Sequence, residues 1–232
     1  MKKRTRRTRT RINPNLMIRV FEFYAGVIGS LRGELVLLAA LLFFAGLLSA
    51  PWVVRRKIRV LLWYPLWVWH RIQHWVQPRD PFLRMMLVIL CLNATSLLVN
   101  ILSGLLGVVP FVFSCLVGLH VGVIVVEETG RLHLLGMLLN PVACLELPAT
   151  WISLSLGIGL GLFQLDALSP VKGLPLLGRS FFVYAVLILP LLLIAAFLEV
   201  LLIKWGLRLA AMREQGEGIT ETREENHKEG AD

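Results

Sequence analysis

A chain of 232 residues that is 56% hydrophobic and only 17% charged, with mean hydropathy +0.72, lies outside soluble usage, where charged residues make up about a quarter. Several apolar runs reach the roughly 20 residues that cross a hydrocarbon core about 30 Å thick, which excludes an ordinary soluble domain and implies an all-α polytopic transmembrane bundle. The net charge of +9 does not point to nucleic acid, because seven of the 24 basic residues, Lys2, Lys3, Arg4, Arg6, Arg7, Arg9 and Arg11, form a tail with no aromatic interleaved for base stacking.

Residues 1–33 read as that basic tail followed by an interfacial helix. The tail suits cytoplasmic retention and anionic lipid headgroups, at about 1 kcal/mol per Lys or Arg near the surface. Leu16–Gly33 mixes Phe21, Phe23, Tyr24, Val27 and Ile28 with Arg19, Glu22 and Arg32, as a helix lying on the headgroups would. The basic start is followed by polar residues rather than an apolar core, so no cleavable signal peptide is expected.

Residues 34–81 hold a first span and a Trp-rich segment. Leu35–Val54 carries no charge and is followed by Arg55, Arg56 and Lys57. Residues 58–77 contain Trp63, Trp67, Trp69 and Trp75 beside Arg59, His70, Arg71 and His74. Tryptophan favours the interface, so an amphipathic interfacial helix is the first reading, and a tilted span with snorkelling arginines is the alternative.

Residues 82–207 form a four-span core, with spans expected at about Met85–Ser103, Leu105–Val126, Leu138–Phe163 and Phe181–Trp205 and a short connection at 164–180. Residues 208–232 read as an acidic, disordered tail: from Arg213 onward there are seven acids against three bases. Arg79, Arg84, Lys204, Arg208 and Arg213 gather at one end of the core, which should be cytoplasmic. The basic N-terminus should be cytoplasmic too. The count is thus five spans or six, and charge favours six with both termini inside.

An acid at a helix centre costs at least about 2.5–3.5 kcal/mol in the membrane and needs a partner or a role. Glu146 is such an acid, with Pro148 two residues on expected to break the helix and free backbone groups for it. Its readings are a structural acid bonded to a neighbouring helix, a proton- or ion-linked site, or a partner contact. Glu199 is expected to pair with Lys204 at the membrane edge. Asn93 and Asn100 share a face that should point into the bundle. Gly118 and Gly122 have the small-xxx-small spacing that lets helices approach closely, with His120 between them as a packing residue and Leu119 expected on another face. Gly157 and Gly161 form a packing surface, because no phosphate-loop Lys follows them. Cys91, Cys115 and Cys144 lie in separate apolar runs without the spacing of a zinc or redox site. Glu127, Glu128 and Arg131 resemble an intramembrane protease motif, but the Arg comes one residue early and the segment reads as a loop. No Ser–His pair or metal-spaced cluster accompanies it. No enzyme activity, cofactor or metal is therefore expected.

The core resembles the stage II sporulation protein M family over about residues 82–205. That family carries Pro-His-Gly-x-x-Glu-Leu-Pro-Ala followed by a Gly-rich helix, which stands here as Pro141, Glu146, Leu147, Pro148 and Ala149, then Gly157, Gly159 and Gly161. An Asn-bearing helix ending in glycines is similar to Asn93 through Gly104 and Gly107, and a small-residue helix to Gly118 and Gly122. The family's His and Gly are Val142 and Ala143 here, the second Asn of its pair is Ala94, and an Asn before its small-residue pair is Val117. Members acting in sporulation hold two peptidoglycan-degrading enzymes at the engulfing septum. The resemblance therefore implies a non-catalytic subunit of the cell membrane that scaffolds other membrane or envelope proteins, or a second copy of itself. A small transporter or channel subunit using Glu146 is the alternative.

Overall fold

A computed structural model of the chain describes residues 14–77, 79–167 and 173–229, so the basic tail Lys2–Arg11 lies outside the described residues. Those residues form α1 (Pro14–Gly29), α2 (Gly33–Arg55), α3 (Arg59–Trp75), α4 (Phe82–Leu102), α5 (Val109–Thr129), α6 (Leu134–Leu138), α7 (Ala143–Ala167), α8 (Leu174–Val183) and α9 (Leu189–Glu229). A 3-10 turn, Ser103–Leu106, prolongs α4, and a π turn, Tyr184–Ile188, joins α8 to α9. Pro190 accounts for the π turn: its ring would meet the carbonyl of Val186 four residues back, and widening the helix there relieves the clash.

Five stretches are long and apolar enough to cross a membrane: Gly33–Arg55, Phe82–Leu106, Val109–Thr129, Ala143–Asp166 and Leu174–Ala210. The protein is a multi-pass membrane bundle. The Trp-rich α3 is not one of the five, which decides between the two counts. It begins where α2 ends and leads to where α4 begins, laying Leu61, Leu62 and Leu66 on α2 and α5.

Side-chain pairs fix the direction of each helix. Gly118 meets Phe43 and Gly122 meets Leu47 and Ala50, so α2 and α5 run parallel. Leu35 and Ala39 pack with Leu154 and Ile158, while Phe43 and Leu47 pack with Leu147, so α7 runs the other way. α4 runs with α7, through Asn93–Glu146 and Asn100–Ser153, and α9 runs against both. One end of the bundle thus gathers Arg55, Arg56, Lys57, Arg79, Arg84, Lys204 and Arg208. At the opposite end α1 packs Val27 on Val183 and Leu187, and the Arg179 guanidinium donates to the Ser30 carbonyl at 2.6 Å.

That arrangement corrects several expectations. α1 and the far part of α9 lie at opposite ends, because five crossings are odd, whereas charge suggested one side for both ends of the chain. The last segment is helical to Glu229 rather than disordered. Glu127 and Glu128 sit in the last turn of α5, which Gly130 closes at φ 73, a conformation that suits a residue without Cβ. The third core span starts at Ala143, with Leu134–Leu138 a separate short helix, and the fourth starts at Leu174. Leu119, expected on another face from Gly118 and Gly122, is buried with Ala50, Val53 and Val123.

Four of the glycines lie where neighbouring helices approach closely. A Cβ on Gly118 would run into the Phe43 carbonyl, and one on Gly122 would lie 2.6 Å from the Ala50 Cβ and 2.8 Å from the Leu47 carbonyl oxygen. Pro51 deprives that Leu47 carbonyl of its helical donor, and the missing side chain at Gly122 gives it room. Gly157 and Gly161 abut the carbonyls of Asn100 and Gly107 in the same way.

Two outcomes are expected. In a cysteine-free background, Arg32→Cys and Gly178→Cys should label with a membrane-impermeant maleimide from one side and Glu128→Cys and Arg208→Cys from the other, whereas labelling of all four from one side would refute the five-span path. Gly122→Leu should lower the thermal midpoint in detergent by an amount equivalent to about 1–3 kcal/mol, while Leu116→Ile on the exposed face of α5 should leave it unchanged.

Candidate functional site

The polar groups predicted on α4 and α7 meet inside the bundle. The Asn93 side-chain amide donates to a Glu146 carboxyl oxygen at 2.6 Å, and two helical turns further along, the Asn100 amide donates to Ser153 Oγ at 3.3 Å. Asn100 is buried, as is Ser153. The Tyr184 hydroxyl, on the π turn, donates to the Ala94 carbonyl at 2.7 Å beside the first of these pairs. Three helices are thereby tied together by hydrogen bonds that have no water to compete with them.

The local chain explains where Glu146 sits. The Asn140 side-chain oxygen accepts from the Val142 amide at 3.0 Å, a turn that halts the preceding segment and lets α7 begin afresh at Ala143. Glu146 falls in the first turn of α7, where a carboxyl group is favoured by the helix dipole and its own amide bonds the Val142 carbonyl at 3.0 Å. Pro148 does not break the helix as expected. It stands so near the helix start that only the Cys144 carbonyl loses a donor, and α7 continues through it to Ala167.

Pro141 is exposed in the turn, Leu147 is buried against Phe43 and Leu47, and Pro148 is half-buried. The Pro-Glu-Leu-Pro set thus divides its work: Pro141 shapes the entry, Leu147 anchors α7 to α2, and Glu146 faces α4. A second acid approaches it. Glu199 on α9 lies within electrostatic reach of Glu146, while Lys204 Nζ donates to the Asp80 carbonyl at 2.7 Å. Residue spacing along α9 could not show this, because the approach depends on α9 packing Ala196 and Val200 against Met85 and Ile89 of α4.

His120 faces α3, with its ring centroid 5.6 Å from that of Tyr64 and its Nδ1 buried without a hydrogen-bond partner among the described residues. Cys91 and Cys144 are exposed on the bundle's outside, and Cys115 is half-buried. Among the described residues no three His, Cys, Asp or Glu side chains converge as a metal would require.

A helix carrying Asn93, a small-residue helix carrying Gly118 and Gly122, and a helix opening on Glu-Leu-Pro-Ala and continuing through Gly157 and Gly161 are now placed in one core. The family model for Stage II sporulation protein M matches residues 39–202. The chain belongs to that family. The match takes in all five crossing helices except the first turns of α2 and the last turns of α9, and it leaves α1 outside. No curated protein and no solved structure matches the chain. In this family member the motif glutamate bonds an asparagine of a neighbouring helix.

The Asn93–Glu146 contact should be measurable as a coupling. In a double-mutant cycle with Asn93→Ala and Glu146→Ala, unfolding in detergent should give an interaction energy of about 0.6–1.7 kcal/mol. Strict additivity of the two changes would show that the bond contributes nothing to folding.

Proposed function

We propose that the protein is a non-catalytic subunit of the cell membrane that scaffolds or recruits partner proteins, in the service of envelope or peptidoglycan remodelling. The observation that carries this reading is the engagement of the Glu146 carboxyl by the Asn93 amide, within an interior whose other polar contacts, Asn100–Ser153 and Tyr184–Ala94, are also made between helices. Such an interior suits a rigid platform. Its membership of the Stage II sporulation protein M family agrees with a membrane platform. The length of α9 favours it too: the apolar stretch ends at Ala210, yet the helix runs to Glu229, an acidic arm of roughly 28 Å at 1.5 Å per residue. A rod of that length offers partners a grip outside the bilayer. The N-terminal basic tail adds a contact to anionic headgroups in the same reading.

A second reading is favoured by Glu199. Two carboxyl groups from α7 and α9 within electrostatic reach, beside an asparagine amide, are the groups a small transporter or channel subunit would use to pass a proton or cation.

Substitution of Glu146 separates the two. Glutamine keeps the shape and hydrogen bonding but cannot ionise, so a scaffold should tolerate Glu146→Gln, whereas Glu146→Leu should strand the Asn93 amide at a cost of about 1–3 kcal/mol and lower the folded yield. Wild type and both variants are reconstituted, and folded yield, partner capture and ion flux are measured together. Tolerance of Gln with loss in Leu is the expected pattern. Flux in wild type that vanishes in a folded Gln variant would replace the scaffold with the transporter.

A further inference from the structure

At the basic end of the bundle, Phe82 of α4 and Leu201, Lys204, Trp205 and Arg208 of α9 line an open groove of about 550 Å³. Its chemistry is divided. Phe82, Leu201 and Trp205 supply an apolar floor, and the Leu201 and Trp205 side chains are exposed on the bundle's outer face, at 46% and 59%. Lys204 and Arg208 stand one helical turn apart on α9, and the lining contains no acid. Lys204 Nζ also donates to the Asp80 carbonyl at 2.7 Å, and the Asp80 carboxylate accepts from the Arg84 guanidinium at 2.8 Å and from the Gln77 amide at 3.0 Å. The same end carries Arg79 and, across the bundle, Arg55, Arg56 and Lys57, so it sits at a membrane surface with a positive field.

We propose that this groove binds one anionic phospholipid, its phosphate between Lys204 and Arg208 and the upper part of an acyl chain along Phe82, Leu201 and Trp205. Three features select a lipid over a soluble anion. The groove lies at the last turns of an apolar span, which ends at Ala210, so its floor meets hydrocarbon rather than water. Its volume is within the roughly 300–1,000 Å³ typical of a small-molecule site, enough for a headgroup and part of a chain but not for a folded partner. Tryptophan at the position of Trp205 prefers the headgroup boundary, where its ring covers the glycerol region while cations above it meet phosphate. A free phosphate would gain the two cations but nothing from the floor.

The full-length protein in detergent is mixed in turn with phosphatidylglycerol, phosphatidylcholine and inorganic phosphate, and bound species are counted by native mass spectrometry. Wild type should retain one phosphatidylglycerol in preference to phosphatidylcholine, and inorganic phosphate should not displace it. Arg208→Gln should lower that retention about fivefold, the effect of one cation near the surface. Leu201→Trp, which fills the floor and leaves the charge unchanged, should lower it as well, while Arg56→Gln, at the same end but outside the groove, should not. Circular dichroism checks each variant, and if Arg208→Gln does not fold, Leu201→Trp and Arg56→Gln decide the matter. Equal retention of the two lipids, an equal fall in Arg56→Gln, or displacement by inorganic phosphate would overturn the proposal.

Discussion

In hydrocarbon there is no water to expel from between two helices, so helices hold together only as closely as their side chains let their backbones come. Here the approach is set by glycine. Gly46 fits beneath the Cys115 carbonyl, Gly118 beneath that of Phe43, and Gly122 against Leu47 and Ala50, so α2 and α5 lie almost backbone to backbone over two turns. Gly104, Gly157 and Gly161 do the same between α4, its 3-10 extension and α7. Because α7 touches α2, α4 and α9, those contacts make it the centre of the bundle. Large side chains are then turned outward, as with Leu37, Leu41, Leu48 and Trp52 of α2, toward the lipid that solvates them.

Close packing alone leaves the helices free to slide by a turn, and the buried polar pairs remove that freedom. Asn93 with Glu146 and Asn100 with Ser153 are two rungs with the same offset along parallel helices, so a shift of one turn would unmake both at once. Unpaired amides and carboxyls in the membrane are costly enough that such rungs specify register even where their net stabilisation is modest. Glu146 is suited to the lower rung because it opens α7. A carboxyl group in a first turn meets the positive end of the helix dipole, which no mid-helix position would give it.

The two ends of the bundle differ in kind. At one end α3 spreads Trp63 and Trp67 in a stacked pair with centroids 6.3 Å apart, sets Arg71 over Trp75 at 5.3 Å, and adds to the arginines of α2 and α4. Amphipathic rings and cations of this kind hold a helix at the headgroup level without crossing, which is why its moderate length and polar residues leave it outside the set of spans. The opposite end is closed by α1 and α8 through Val27, Val183 and Leu187, with the Arg32–Glu34 pair at 2.9 Å and the Arg179–Ser30 bond beside them.

Composition and spacing alone determined that the chain is an all-α membrane protein, that Asn93 and Asn100 point inward, that Gly118, Gly122, Gly157 and Gly161 are contact surfaces, and that the core resembles one family. These properties are local: hydropathy, helical period and motif order are written in consecutive residues. The tertiary structure decided what depends on neighbours distant in sequence. It chose five crossings over six, because whether α3 spans is settled by where α2 ends and α4 begins and not by the tryptophans themselves. It carried α7 through Pro148, because a proline's cost depends on how far it stands from the helix start, and that start was set by the Asn140 turn. It turned Leu119 inward, since two helices in near-backbone contact bury the residue beside a glycine as well as the glycine. It brought Glu199 toward Glu146, because an acid's partner in a membrane is whatever the adjoining helix presents at the same depth, and depth is a property of the packed bundle rather than of the sequence.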